Sequence, residues 1–203
     1  MGWANEVARS FRTLNYTFTT SGAYGTAGNC SFSMNLPHRN IADGGIHEEF
    51  SLPGFPESLQ CLITHLHPYY RDFDGKDEWS TFFLPQLSYS LQSNGWLCNT
   101  VEEMETIGCE ALRNLIKLPL WCIGPLLPSD MLKTNLVIES LSQGVPMIGC
   151  PLGAEQGFNA KMLVEKGVCV VLTTRGENRI VKEDVKKVIE VVFDRNDMRK
   201  KAT

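Results

Sequence analysis

Between Leu136 and Phe193 the chain alternates short apolar runs with stretches of helical period, and this rhythm constrains its fold more than any other feature. Leu136 to Leu141 has helical spacing and runs into Gly144, which suits a left-handed C-terminal cap. Val145 to Ile148 reads as a strand. Ala154 to Lys166 reads as a helix stopped by Gly167, and Val168 to Leu172 as a buried strand. Val181 to Phe193 then reads as a helix with Val185, Val188, Ile189 and Val192 facing inward. Helices set between short apolar strands predict a parallel sheet with right-handed crossovers. Ligands of such sheets bind outside the carboxyl ends of the strands. That rule singles out Asn135 to Gln156, with Glu139 on the first helix and Glu155-Gln156 just past the first strand.

The front of the chain is less regular. Trp3 to Phe11 reads as a short helix and Leu14 to Thr20 as a strand rich in Thr, Tyr and Phe. Gly22 to Met34 reads as a helix weakened by Gly25 and Gly28. Leu36 to Pro56 carries Pro37, Gly44, Gly45, Pro53, Gly54 and Pro56 and reads as a long loop. Trp79 to Leu91 has helical spacing, with Pro85 as a kink. Gly95 to Asn99 is a strand, and Thr100-x-x-Glu103 is a capping box for a helix burying Val101, Met104, Ile107, Ala111 and Leu115. Leu118 to Ile123 is again strand-like. Gly124-Pro125-Leu126-Leu127-Pro128-Ser129 breaks regular structure. The reading is therefore residues 1–123 as one domain, 124–130 as a linker and 131–203 as a second.

Composition excludes several classes. With 203 residues, 43% hydrophobic and 21% charged, the chain is long enough for one full domain or two small ones and is not disordered. Net charge is -4, and the basic run Met198-Arg199-Lys200-Lys201 is a solvated helix end, so nucleic acid is not expected as a partner. No apolar run reaches membrane-spanning length. No secretory signal pattern opens the sequence. Met1-Gly2 has Glu6 where N-myristoylation wants Ser or Thr. The seven cysteines contain no CxxC and read as reduced core thiols of a cytoplasmic protein. On that reading the sequons at Asn15 and Asn29 are chance matches.

Candidate chemistry is sparse. His65-Leu66-His67 has no carboxylate or cysteine at a metal-ligand spacing, so no metal site is expected. His38 and His47 fall in the Gly/Pro-rich loop and are expected at the surface. Asp72, Asp74, Asp77 and Glu78 read as a polar loop, with Asp77 at the favourable N-terminal end of the next helix. No nucleophile elbow or phosphate loop occurs. Glu139 lies one turn from Asn135, so both can face one ligand. Its carboxylate could accept two ribose hydroxyls, or it could be a solvated helix residue. Glu155 and Gln156 pair an acceptor-only carboxylate with a donor–acceptor amide, which suits vicinal sugar hydroxyls. They could equally be an ordinary first helical turn; spacing alone leaves the two readings even.

Several motifs together resemble one family. Gly144-Val145-Pro146, Pro151, Glu155-Gln156 and Asn159 are similar to the C-terminal half of the signature box of plant UDP-glycosyltransferases. Gly2-Trp3-Ala4-Asn5-Glu6-Val7-Ala8, Leu52-Pro53-Gly54-Phe55-Pro56, Asn99-Thr100-Val101-Glu102-Glu103-Met104-Glu105 and Ile123-Gly124-Pro125-Leu126 resemble the same enzymes. The resemblance implies an α/β fold of partial GT-B architecture, with remnants of two Rossmann-like parallel-sheet domains. It implies a UDP-glucose donor, a small hydroxylated acceptor such as a flavonoid, inverting transfer, and neither cofactor nor metal. By position in the box, Asn135 would lie near the diphosphate, Glu139 would bind the ribose, and Glu155 and Gln156 the sugar hydroxyls.

The departures from the family are equally specific. Its catalytic histidine and aspartate would fall upstream of Met1, so no catalytic residue is expected here. The first half of the box is absent, and the apparent deletion junction is Ser129-Asp130. Met131 stands at the diphosphate histidine position and Leu136 at the phosphate-binding serine position. Cys150 replaces a usual tryptophan. The resemblance thus implies a truncated, internally deleted member that is inactive alone. It would be a non-catalytic remnant or would complete its site with a partner chain.

Overall fold

The computed structural model describes residues 3–40, 49–63, 70, 73–124, 137, 140–141, 144–151, 155–172 and 181–194. The chain divides into two compact units, Met1–Leu126 and Leu127–Thr203.

The first unit opens with α1 (Trp3–Ser10) and β1 (Thr17–Thr19), followed by α2 (Ala23–Asn35) and a 3-10 turn at Pro37–Asn40. A two-stranded antiparallel sheet of β2 (Glu49–Ser51) and β3 (Gln60–Leu62) follows. Then come α3 (Glu78–Ser90), β4 (Trp96–Cys98), α4 (Thr106–Ile116) and β5 (Leu120–Cys122). β1, β4 and β5 form a parallel sheet in that order. Its register aligns Thr17, Trp96 and Leu120 in one row and Thr19, Cys98 and Cys122 in another. Trp96, Cys98 and Leu120 are buried, and this face meets the helical layer of α2 and α4. The row between them, Phe18-Leu97-Trp121, points the other way. Phe18 is 47% and Trp121 44% exposed, so that face of the sheet is largely bare.

Gly25 and Gly28 are buried, and Gly108 of α4 lies where a Cβ would come within 2.4 Å of the Tyr24 backbone nitrogen. The two helices cross that closely because Gly108 has no side chain. Beyond α2, Phe32 stacks on His38 and meets Phe50, Tyr70 and Phe73. Burying each of these rings contributes on the order of 2 kcal/mol.

Three sequence expectations are corrected here. Residues 36–56 are not all loop, because β2 pairs with β3 by a short ladder that places Phe50 opposite Cys61 in the core. Three-residue strands leave too little alternation to read. Thr100 and Glu103 do not cap a helix. Thr100 is buried, and its backbone bonds to Cys98 and Gly124 tie the end of β4 to the exit of β5. Helix α4 therefore starts later and buries Gly108, Cys109, Ala111, Leu112 and Ile116, while Ile107 faces solvent. His38 is buried rather than exposed, held in the aromatic cluster. His47, His65 and His67 lie outside the described residues.

The second unit holds β6 (Met147–Gly149), α5 (Gln156–Glu165), β7 (Cys169–Val171) and α6 (Lys182–Asp194). β6 and β7 pair in parallel, Met147 with Cys169 through Gly149 with Val171. A Cβ at Gly149 would be tight against Cys169 Sγ of β7, 3.1 Å away, but in ordinary contact with Ala160 Cβ of α5 at 3.7 Å. Two helix ends close as Schellman motifs. Val145 N donates to Ser140 O and Gly144 N to Leu141 O, with Gly144 at φ +63°. Val168 N donates to Leu163 O and Gly167 N to Val164 O, with Gly167 at φ +72°. Of the residues expected inward on α6, Val185, Val188 and Val192 are half-buried but Ile189 is exposed.

Candidate functional site

Both units place a helix N-terminus beyond the carboxyl end of a parallel strand, and they treat it differently. In the first unit α2 follows β1, and Gly22 offers no side chain to cap it. Glu105, arriving from the loop before α4, supplies the cap: Tyr24 N donates to its Oε2 at 2.8 Å. Gly22 makes room for it, since a Cβ there would lie 2.2 Å from Glu105 Oε1. A resident carboxylate at that helix end satisfies a backbone donor and complements the dipole. It also repels a second anion, so this end is unsuited to a phosphate. Sequence reasoning gave Glu105 no structural role; the signal available was a helix opening on glycine with no cap of its own.

Among the described residues of the second unit, no side chain caps the corresponding helix end. β6 ends at Gly149, Cys150 and Pro151 are half-buried, and Glu155 occupies the N-cap position of α5. Glu155 sits at φ -74°, ψ -3°, and its side chain makes no capping hydrogen bond. Its backbone carbonyl accepts from Asn159 N at 3.0 Å, starting the helix. The carboxylate is therefore not spent on the first turn, and Gln156 beside it is exposed. Glu155 and Gln156 are thus adjacent at the mouth of the β6–α5–β7 unit. Asn135 and Glu139, the other two residues singled out by sequence, lie outside the described residues.

Other ionisable groups serve structure. Asp77 caps α3, its Oδ1 accepting from Ser80 N at 2.9 Å. Burial alone would raise its pKa, but bonds from the Ser80 hydroxyl and the backbone N–H groups of Ser80 and Asp74 prevail and hold it at about 2. Glu102 and Arg113 form a two-bond ion pair at 2.6 and 2.9 Å, lowering the first and raising the second. Among the described residues no group of three His, Cys, Asp or Glu is placed to hold a metal. No described helix is long and apolar enough to cross a membrane.

Polar groups just past the strand end of a parallel β-α-β unit stand where ligands of such sheets bind. The family model for UDP-glucoronosyl and UDP-glucosyl transferases matches residues 133–202. Crocetin glucosyltransferase 3 of Crocus sativus is 45% identical over 128 residues, 63% of this chain and 26% of that protein. UDP-glycosyltransferase 92A1 of Arabidopsis thaliana is 31% identical over 129 residues, 64% of this chain and 26% of that protein. Among solved structures, UGT73P12 of Glycyrrhiza uralensis, complexed with glycyrrhetinic acid 3-O-monoglucuronide, has a TM-score of 0.79 at 14% identity. That match covers 100% of this chain and 66% of the solved one. UGT2 of Phytolacca americana, complexed with UDP-2fluoro-glucose and pterostilbene, has a TM-score of 0.75 at 16% identity, covering 99% and 68%. The chain is thus similar in sequence to plant UDP-glycosyltransferases over these stretches, and its α/β fold matches parts of their GT-B structures. It covers only about a quarter of the length of the curated relatives it matches first.

Proposed function

We propose that the second unit is the sugar-facing part of a UDP-glucose site whose phosphate-gripping part is missing. Glu155 and Gln156 hold hydroxyls of the hexose, Gln156 favouring glucose. Glu139 takes the ribose hydroxyls, and Asn135 lies toward the diphosphate. The observation that carries this reading is the Glu155 carboxylate, left uncapping at the start of α5 beyond β6, inside the stretch the family model matches. By family, the reaction is glucosyl transfer to a hydroxyl of a small acceptor such as a flavonoid. A cytosolic location belongs to the same proposal, resting on seven free thiols.

The proposal includes incapacity of this chain alone. The stretch similar to the family begins at residue 133, and the proposed deletion junction is Ser129-Asp130. The side chains of Met131 and Leu136 offer a diphosphate no hydrogen-bond donor. Each missing polar contact to the donor costs on the order of 1–3 kcal/mol.

The test pairs two measurements on the purified chain. With UDP-glucose and a panel of phenolic acceptors, glucoside formation is expected to stay at the level of a Gln156→Ala control; turnover above it refutes incapacity. Titration calorimetry with UDP-glucose is expected to show no binding in the micromolar range, and micromolar affinity would show that the half-site suffices.

A further inference from the structure

All seven cysteines are free thiols, and two of them stand in contact. Cys109 lies on α4 with none of its surface exposed, and its Sγ is 3.5 Å from the Sγ of Cys122. Cys122 ends β5 and is half-buried, which makes it the less enclosed member of the pair. Cys98 is the register partner of Cys122 on β4, but its thiol points to the Ser21 carbonyl at 3.6 Å.

We propose that Cys109 and Cys122 form a peroxide-oxidisable pair, with Cys122 meeting the oxidant and Cys109 resolving it. Cys122 loses its proton to solvent, and its sulfur attacks one oxygen of hydrogen peroxide. An S–O bond forms, the O–O bond breaks, and the departing hydroxide takes a proton to leave as water. Cys109 then gives up its proton and attacks the Cys122 sulfur. The S–O bond breaks and a second water leaves. Two thiols are oxidised to one disulfide, and one peroxide is reduced to two waters.

The environment sets the order of attack. Burial raises the Cys109 thiol well above its usual range, and the hydrogen bond to Cys122 and the charges of Cys122, Cys98 and Glu105 add to it. Cys109 is therefore a poor first nucleophile, because only the thiolate attacks. Once Cys122 is a neutral sulfenic acid, its negative charge no longer opposes ionisation of Cys109. The bond would tie α4 to β5 across 13 positions of chain, beside Ile123 and Gly124, which lead out of the sheet.

The test treats the full chain with hydrogen peroxide, alkylates the remaining thiols and maps the peptides. Cleavage after Glu105, Arg113 and Lys117 places Cys98, Cys109 and Cys122 on separate peptides. The expected result is a linked pair of peptides carrying Cys109 and Cys122, two hydrogens lighter than their sum, with Cys98 alkylated. Cys109→Ser is expected to leave a sulfenic acid on Cys122 that dimedone traps, and Cys122→Ser to leave Cys109 reduced. The oxidised wild type is expected to melt at a higher temperature than the reduced one, with no such shift in either variant. Recovery of both thiols alkylated at a dose that already oxidises half-buried Cys150, or a link through Cys98 instead, would overturn the proposal. The wild-type map decides even if a variant fails to fold.

Discussion

At the scale of single residues, the charged and polar groups that matter most are caps and one orphan. Asp77 caps α3 through Ser80. Asp77→Ala is expected to lower the stability of the first unit by about 1 kcal/mol, the usual worth of a cap, read from denaturant melts. Its folded pKa of about 2 lies below the ordinary 3.8. The contribution is therefore present above pH 3.8 and is lost as pH falls toward 2, so wild type and Asp77→Ala should converge in acid. His38 behaves oppositely to a salt-bridged histidine. Neither ring nitrogen has a hydrogen-bond partner of good geometry, and burial, with Arg39 second, lowers its pKa against an opposing pull from the Phe73 backbone. The unfolded chain then binds the proton more readily, so stability falls as pH drops through 6.5. His38→Leu should raise stability by about 1 kcal/mol, since removing an unsatisfied buried polar group recovers its desolvation cost. It should also flatten the pH slope below 6.5 in the same melts. A steeper slope in the variant would contradict this account.

At the scale of elements, legibility followed length and punctuation. The regular helices around residues 78–90, 156–165 and 182–194 were readable from period, and Gly144 and Gly167 from their position after apolar runs. What escaped was set by groups distant in sequence. The start of α4 could not be read from Thr100-x-x-Glu103, because Thr100 is committed to β4 and β5 while Glu105 is committed to α2, 81 positions away from its partner Tyr24. The α2–α4 crossing was likewise invisible, since Gly25, Gly28 and Gly108 look like helix weakeners until their neighbours are known. The candidate site was half legible. Glu155 and Gln156 were found by the strand-end rule, but only the geometry shows that the Glu155 side chain leaves the helix uncapped. Gly108→Ala tests the crossing. A Cβ 2.4 Å from a backbone nitrogen cannot be relieved by rotating a side chain. The substitution should cost about 1–3 kcal/mol despite the higher helix propensity of alanine, measured by thermal or chemical unfolding. A neutral or stabilising result would mean that the helices separate easily.

At the scale of the whole molecule, the decisive feature is how little of a parallel sheet the first unit covers. Parallel sheets normally bury both faces under helices. Here the Trp96 and Cys98 face is packed, while Tyr16, Phe18 and Trp121 remain exposed on the other. Trp121 lies over Gly95, where a Cβ would come within 2.5 Å of its ring, and meets Tyr16 edge-on at 5.6 Å. The aromatic rings thus cover one another and the backbone but not the whole face. A contiguous apolar surface of this kind drives association or dye binding in water. The chain is expected to bind a fluorescent hydrophobic dye in the folded state and to self-associate as its concentration rises. Replacing Phe18 and Trp121 together by Thr keeps strand-compatible residues at both positions. The double variant should lose most of the dye signal and shift toward monomer in sedimentation velocity, with the far-ultraviolet circular dichroism unchanged. Trp121→Thr alone should act partially, because Tyr16 loses its edge contact but Phe18 stays. If the double variant binds dye and associates as the wild type does, the exposed row is not the surface responsible, and the aromatics Trp79 and Phe82 on α3 become the ones to replace.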